Sequence, residues 1–181
     1  MQAFQHLSRD GRDISTTSNG ALFSTYVIMS IVEGRGKARG EIGLAYIDLN
    51  SPSLYLSQFR DNCSFDSLKM KCHICLPAEI IFPNTFANNS MITMLNKGFP
   101  NIEFKEIDRR FFNEKKGFEY VKTLCFKHYT GIDIELESKY YALSACSALL
   151  LYISNDKNVS RIHFCLNFIN FFFRFNIYQS L

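Results

Sequence analysis

Tryptophan is missing from this 181-residue chain, and its aromatic content rests on 18 Phe and 9 Tyr. A dominant charge of one sign is missing too. The 20 basic and 17 acidic side chains leave a net charge of +3, too mild to infer a nucleic-acid partner from electrostatics alone. The first 25 residues hold no basic region followed by an apolar one, so no secretory signal is visible. The six cysteines, at 63, 72, 75, 125, 146 and 165, therefore read as reduced thiols inside a cell, not as a disulfide framework. No G-x-S-x-G elbow, H-E-x-x-H pair, P-loop or dinucleotide-type G-x-G-x-x-G is present, which removes the chemistries those spacings serve.

What is there describes a globular chain. With 47% hydrophobic and 20% charged residues, it has the composition of one domain with ragged ends and a sizeable core. Residues 1–22 are polar and show no period of 2 or 3.6, so a flexible leader is expected there. Order is expected from Tyr26, where Tyr26 to Val32 is almost continuously apolar and β-branched, as suits a strand covered on both faces. Three glycines among Gly34–Gly40 make a turn, and Glu41 to Leu49 is a second strand. Asn50, Ser51 and Pro52 end it, and Leu54 to Phe59 is a third. Three strands on short connections read as an antiparallel meander.

Beyond the meander the texture alternates. Ser67 to Cys75 fits strand or helix; a helix from Phe65 is favoured, with Ser64 as N-cap and Asp66 in the first turn. Ile80 to Phe82 is a short buried strand. Asn89 to Asn96 is a helix closed by Gly98 and Pro100. Ile102 to Ile107 alternates as a strand, Asn113 to Leu124 is a helix with Phe118, Val121 and Leu124 on one face, and Ile134 to Ile153 is the longest helix. The order β, β, β, α, β, α, β, α, α is that of an α/β, ribonuclease-H-like mixed sheet: a three-strand meander, then alternating helices and strands.

The chemical candidates are few. In the Gly34–Gly40 turn, Arg35, Lys37 and Arg39 together with backbone amides could hold a phosphate, although a hairpin with solvated charges accounts for the same residues. Cys72 and Cys75 have C-x-x-C spacing but lack a second pair to complete a zinc site, so they read as small apolar thiols. A ribonuclease-H-like nuclease needs several carboxylates converging on metal ions. Asp48 reads as the only acid inside a strand of the meander, with Glu41 at the start of that strand and Glu79 and Asp108 flanking others. That is a poor nuclease set, and Asp48 is expected to bond backbone amides or cap the turn after Leu49. Lys105 to Glu119 holds five basic and four acidic residues and reads as a solvated face. Six Phe lie between 164 and 175, but the surrounding Asn, Arg and His residues make this stretch too polar for a membrane span.

Several blocks together resemble one family. Val32 to Gly36, Ala38 to Gly43 and Ile47 to Leu49 look like the opening of the connector domain (domain II) of MutS homologues, in particular the meiotic branch. Leu56 to Phe59 with Asp61-Asn62, Leu76-Pro77 with Glu79 to Ile81, Asn84-Thr85, Arg110 with Phe112 to Glu114, Lys116-Gly117 with Glu119-Tyr120, and Ser138 to Tyr141 follow in the same order. The general signature is Gly43-x-Ala45-x-x-Asp48 and Pro77-x-Glu79-Ile80-Ile81. The resemblance covers residues 23–153 and implies a ribonuclease-H-like connector without nuclease activity, hence no catalytic residues and no metal ligands. It implies a nuclear protein of meiotic chromosomes that pairs with MutS protein homolog 5 on branched recombination DNA such as Holliday junctions, supporting crossing over. ATP and Mg are implied only for the full-length family protein, whose Walker motifs this chain lacks, so no ATPase and no cofactor are expected here. Residues 154–181 depart from the family, and a truncated product with an atypical Phe/Asn-rich tail is expected. Arg35, Lys37 and Arg39 remain the candidate DNA contacts, and no membrane partner is expected. The competing expectations are an active metal-dependent nuclease and a small membrane-associated protein using the Phe-rich tail.

Overall fold

The computed structural model describes residues 25–50, 53–87, 89–124 and 132–155. The leader at 1–22 and the Phe-rich stretch lie outside them. Among the described residues, strands β1 (Val27–Glu33), β2 (Glu41–Asp48), β3 (Leu54–Arg60), β4 (Glu79–Pro83) and β5 (Glu103–Ile107) form one sheet in the order β3-β2-β1-β4-β5. The first three pair antiparallel, with Val27 opposite Asp48 and Glu41 opposite Arg60; β4 then runs parallel to β1, and β5 parallel to β4. This mixed order is the ribonuclease-H-like one expected from the alternation of elements. All seven residues of β1 are buried, as a near-continuous apolar central strand requires.

Helices α1 (Asp66–Cys75) and α2 (Ser90–Gly98) cross from β3 to β4 and from β4 to β5. They lie over the face that carries Phe59 and Tyr46. The Lys71 ammonium sits 4.9 Å from the Phe59 ring centre, and His73 packs on Phe99 just past α2 at 4.8 Å. Helices α3 (Glu114–Leu124), α4 (Ile132–Glu137) and α5 (Tyr140–Asn155) follow, and α5 covers the opposite face. Gly43 and Gly117 are what let it do so. A Cβ on Gly43 would lie 2.1 Å from the carbonyl carbon of Tyr141, and one on Gly117 would lie 1.9 Å from the Leu143 oxygen. A glycine inside a strand here marks close backbone approach. The core has two layers: Met29, Ile31, Leu44 and Ile80 face the α1 and α2 side, while Ile28, Val32, Ala45 and Ile81 face the α5 side with Val121, Ala145 and Leu149.

Two local expectations are corrected. Ser64 does not cap α1. The Asp61 carboxylate accepts from the Ser67 and Leu68 amides at 3.2 and 2.8 Å, and the Asn62 side chain accepts from Ser64 and Asp66. A carboxylate reaching back from the end of β3 outcompetes the nearer hydroxyl because it can serve two amides at once. Nor is Ile134 to Ile153 one helix. It divides at Ser138-Lys139, where Gln58 on β3 accepts from the Tyr141 and Ala142 amides through Oε1 at 2.8 and 3.2 Å and donates from Nε2 to the Ser138 carbonyl at 3.3 Å. A side chain 83 residues away in the chain caps α5.

Candidate functional site

The parallel strands β1 and β4 end beside each other, and their following loops diverge, β1 towards β2 and β4 towards α2. In an open α/β sheet such a divergence leaves a crevice. Here it is an open cleft of about 790 Å³, lined on one side by Glu33, Arg35 and Arg39 and on the other by Asn84, Thr85 and Asn89.

Each wall is built from local turn chemistry. After β1 the chain passes Gly34 into a short 3-10 turn at Gly36–Ala38 and reaches Gly40. Gly36 and Gly40 take φ of +60° and +85°, a left-handed conformation that glycine adopts without strain. Opposite, Asn89 caps α2 by accepting from the Met91 amide at 2.8 Å. The Glu33 carboxylate bridges the walls. It accepts from the Gly40 amide at 3.1 Å and from the Asn89 side-chain amide at 2.9 Å, while only 6% exposed. Arg35 bridges them a second time, donating to the Thr85 hydroxyl at 2.5 Å with its guanidinium 5.4 Å from the Phe86 ring centre.

Of the three basic residues singled out in the sequence, the structure thus brings Arg35 and Arg39 to one cleft. Lys37 is exposed on the same turn and does not line it. The residue that sequence reasoning missed is Glu33. Asp48 is not the only acid within the meander, because β1 extends to Glu33 and ends on it. Its signal was available: an acid directly after a seven-residue apolar run, followed at once by glycine.

The other acids are dispersed. Asp48 accepts from the Tyr26 and Asn50 amides at 3.1 and 3.0 Å, the capping role expected of it. Asp108 accepts from the Arg110 amide at the turn after β5. Glu41 accepts from Gln58 at 2.8 Å. Glu79 lies at the amino end of β4, across the sheet from the cleft, and is 5% exposed. It accepts from the hydroxyls of Tyr26 and Tyr152 and from the Lys105 ammonium, the last two at 2.7 and 3.0 Å. Burial pushes the Glu79 carboxyl up, but these three donors outweigh it and hold it below its ordinary value. Tyr26, tied to that carboxylate and partly buried, is pushed up to about 12. The bond to Tyr152 raises Lys105 most; burial pulls it back and Glu79 adds to the rise, leaving it above its ordinary value. Cys72 is buried and its thiol is pushed up to about 12 by that burial, while Cys75 is raised by the same cause. Burial thus leaves both thiols less readily ionised than a free cysteine. Among the described residues no three His, Cys, Asp or Glu side chains gather in a geometry that could hold a metal ion, and no helix is long and apolar enough to cross a membrane.

The sheet order and its two helical layers define a ribonuclease-H-like α/β domain in which Glu33 and Glu79 are tied into opposite ends. The family model for MutS domain II matches residues 26–162, and the chain belongs to the MutS family. Domain II is a connector, not a catalytic unit. The chain is 41% identical to human "MutS protein homolog 4" over 152 residues, 82% of this chain and 16% of that protein. It is 40% identical to the mouse protein of the same name, over 80% of this chain and 15% of that protein. Against the Caenorhabditis elegans "MutS protein homolog him-14" it is 25% identical over 80% of this chain and 17% of that protein. The chain therefore spans about a sixth of the length of these relatives. A solved HTLV-2 integrase catalytic core domain aligns over 63% of this chain and 82% of that one at 14% identity and a TM-score of 0.29, a likeness too slight to bear an argument.

Proposed function

We propose that this chain serves as the non-catalytic connector of a meiotic MutS homologue. Its work is mechanical: a sheet clamped between helical layers relays movement between ATP-binding and DNA-holding parts of the intact protein through packing contacts. The intact protein, in this reading, acts in the nucleus on branched recombination DNA such as Holliday junctions, pairs with MutS protein homolog 5 and supports crossing over. ATP and Mg belong to that longer protein. The observation that carries the reading is the match to MutS domain II over residues 26–162, joined to 41% identity with a MutS protein homolog 4. The exposed Arg35, Lys37 and Arg39 at one end of the sheet are its DNA-facing candidates.

The placement of the acids favours this over a nuclease. Asp48 is engaged by backbone amides, and Glu79 by a lysine and two tyrosines on the far side of the sheet from Glu33. Neither is free to join a shared metal site.

Fluorescence anisotropy with a labelled four-way junction, in Mg²⁺, tests both points. The expected result is intact DNA, with binding weakened roughly tenfold or more when Arg35, Lys37 and Arg39 are all replaced by Glu, since each cation taken away from a phosphate lowers affinity. Unchanged binding by that variant refutes the DNA-facing assignment. Strand cleavage abolished by Asp48→Asn refutes the non-catalytic reading.

A further inference from the structure

We propose that the cleft between β1 and β4 receives one unpaired nucleotide of a DNA strand, with its phosphate on Arg35 and Arg39 and its base against Glu33. This rests on the DNA-binding reading above and names the form of DNA that the site takes.

The cleft's charges carry the inference. A guanidinium has five N–H donors. Arg35 spends one on Thr85 and is held in place by that bond and by Phe86. Arg39 lines the cleft with no side-chain hydrogen bond or ion pair among the described residues. Two cationic groups with most of their donors unused, one of them already oriented, suit a phosphodiester.

Phosphate alone does not fit the rest of the cleft. The same cleft holds a buried carboxylate, Glu33, whose two hydrogen-bond donors, an amide of Gly40 and the side-chain amide of Asn89, are both neutral. Its negative charge would repel a second phosphate oxygen. It would accept a hydrogen bond from the exocyclic amino group of a base, as carboxylates do from cytosine. Exposed cations and a buried acceptor lining one cleft match the groups of a nucleotide, from phosphate to base.

Size and shape decide between strand and duplex. About 790 Å³ falls within the range of roughly 300–1,000 Å³ typical of small-ligand clefts. A paired base keeps its Watson–Crick edge inside the helix and cannot enter such a cleft; an unpaired one can.

The test uses the full chain and labelled 12-residue strands of deoxycytidine, of thymidine and of abasic sites, with a 12-base-pair duplex alongside. The deoxycytidine strand is expected to bind about fivefold tighter than the thymidine or abasic strand, because one good base-edge contact is worth about 1 kcal/mol or more. Arg35→Ala is expected to weaken the deoxycytidine strand about tenfold and the duplex at most about twofold. Glu33→Gln is expected to erase the preference for deoxycytidine. Thr85→Val, which removes the tether on Arg35 from an exposed surface, supplies a variant that keeps the fold and is expected to weaken the strand about threefold. An abasic strand that binds as tightly as deoxycytidine overturns the proposal, as do equal losses on strand and duplex with Arg35→Ala. Failure of the unaltered chain to bind any of these DNAs, duplex and junction included, overturns the parent reading as well and is distinguished by that breadth.

Discussion

Glu33 and Glu79 are equally buried, at 6% and 5% exposure, on neighbouring strands of one sheet, yet the two ends they occupy differ in kind. At the amino end, Glu79 meets a lysine ammonium and two phenol hydroxyls drawn from the chain before β1, from β5 and from α5. A buried charge is matched there by an opposite charge and enough donors, so the knot is complete. At the carboxyl end, Glu33 meets only neutral amides, and the cations nearby, Arg35 and Arg39, face an open cleft. Burial alone therefore does not tell a structural carboxylate from one with capacity to spare; its partners do. The amino end holds the sheet to α5. At the carboxyl end the two arginines keep hydrogen-bonding capacity unused among the described residues.

Helix α5 touches both ends, its first turn over Gly43 and its last through Tyr152, and the largest expected effect lies there. Gly43→Ala should cost about 3 kcal/mol in urea unfolding, since a methyl cannot fit against the backbone of Tyr141 and the helix must lift. A loss below about 1 kcal/mol would mean that α5 is not seated on β2 as described.

The comparison itself is sharpened by two isosteric changes. Glu79→Gln should cost about 2 kcal/mol, because it strands Lys105 beside a neutral amide, and Glu33→Gln about 1 kcal/mol, because no charged partner is left stranded. Equal losses would break the distinction between the ends. The pH dependence gives a separate reading. The Glu79 carboxyl is lowered from its ordinary value near 4.5, so its contribution is fully present above that value and is lost as pH falls through the folded value. Tyr26 is raised from 10.0 to about 12, so its contribution is present below pH 10.0 and is lost as pH climbs towards 12. Stability measured across the two limbs should flatten on the acid side in Glu79→Gln and on the alkaline side in Tyr26→Phe. Unchanged limbs would remove the knot from the account of stability.

The smallest effect concerns the cap. Gln58→Ala should cost about 1 kcal/mol and raise amide exchange in the first turn of α5, as loss of a capping acceptor does. Exchange unchanged at Tyr141 and Ala142 would show that the helix start is held by other means.

The elements legible in the sequence were those with a strong local pattern. The meander followed from an apolar β-branched run, a glycine turn and the Pro52 break; α2 followed from its stop at Gly98 and Pro100, with Asn89 capping the helix instead of opening it. The Gly34–Gly40 turn stood out as a cluster of glycine and charge, and Arg35 and Arg39 do line the cleft. What escaped was set by contacts between distant residues. The break between α4 and α5 depends on Gln58, 83 residues away from Tyr141. The α1 cap comes from Asp61 instead of Ser64. Glu33 looked like a residue leaving a strand, and only the pairing with Ile42 keeps it in β1.

By itself, the order of apolar runs and turns determined the class of this protein: a meander followed by alternating helices and strands, in a mixed sheet. It did so because hydrophobic periodicity and turn chemistry are local properties that the chain carries in every segment. Only the tertiary structure decided that Thr85 and Asn89 would face Arg35 and Glu33 across a cleft, and that Lys105 and Tyr152 would converge on Glu79. Those partners are 26 to 73 residues apart along the chain, and no periodicity connects them. Parallel pairing of β4 with β1 brings them within hydrogen-bonding reach.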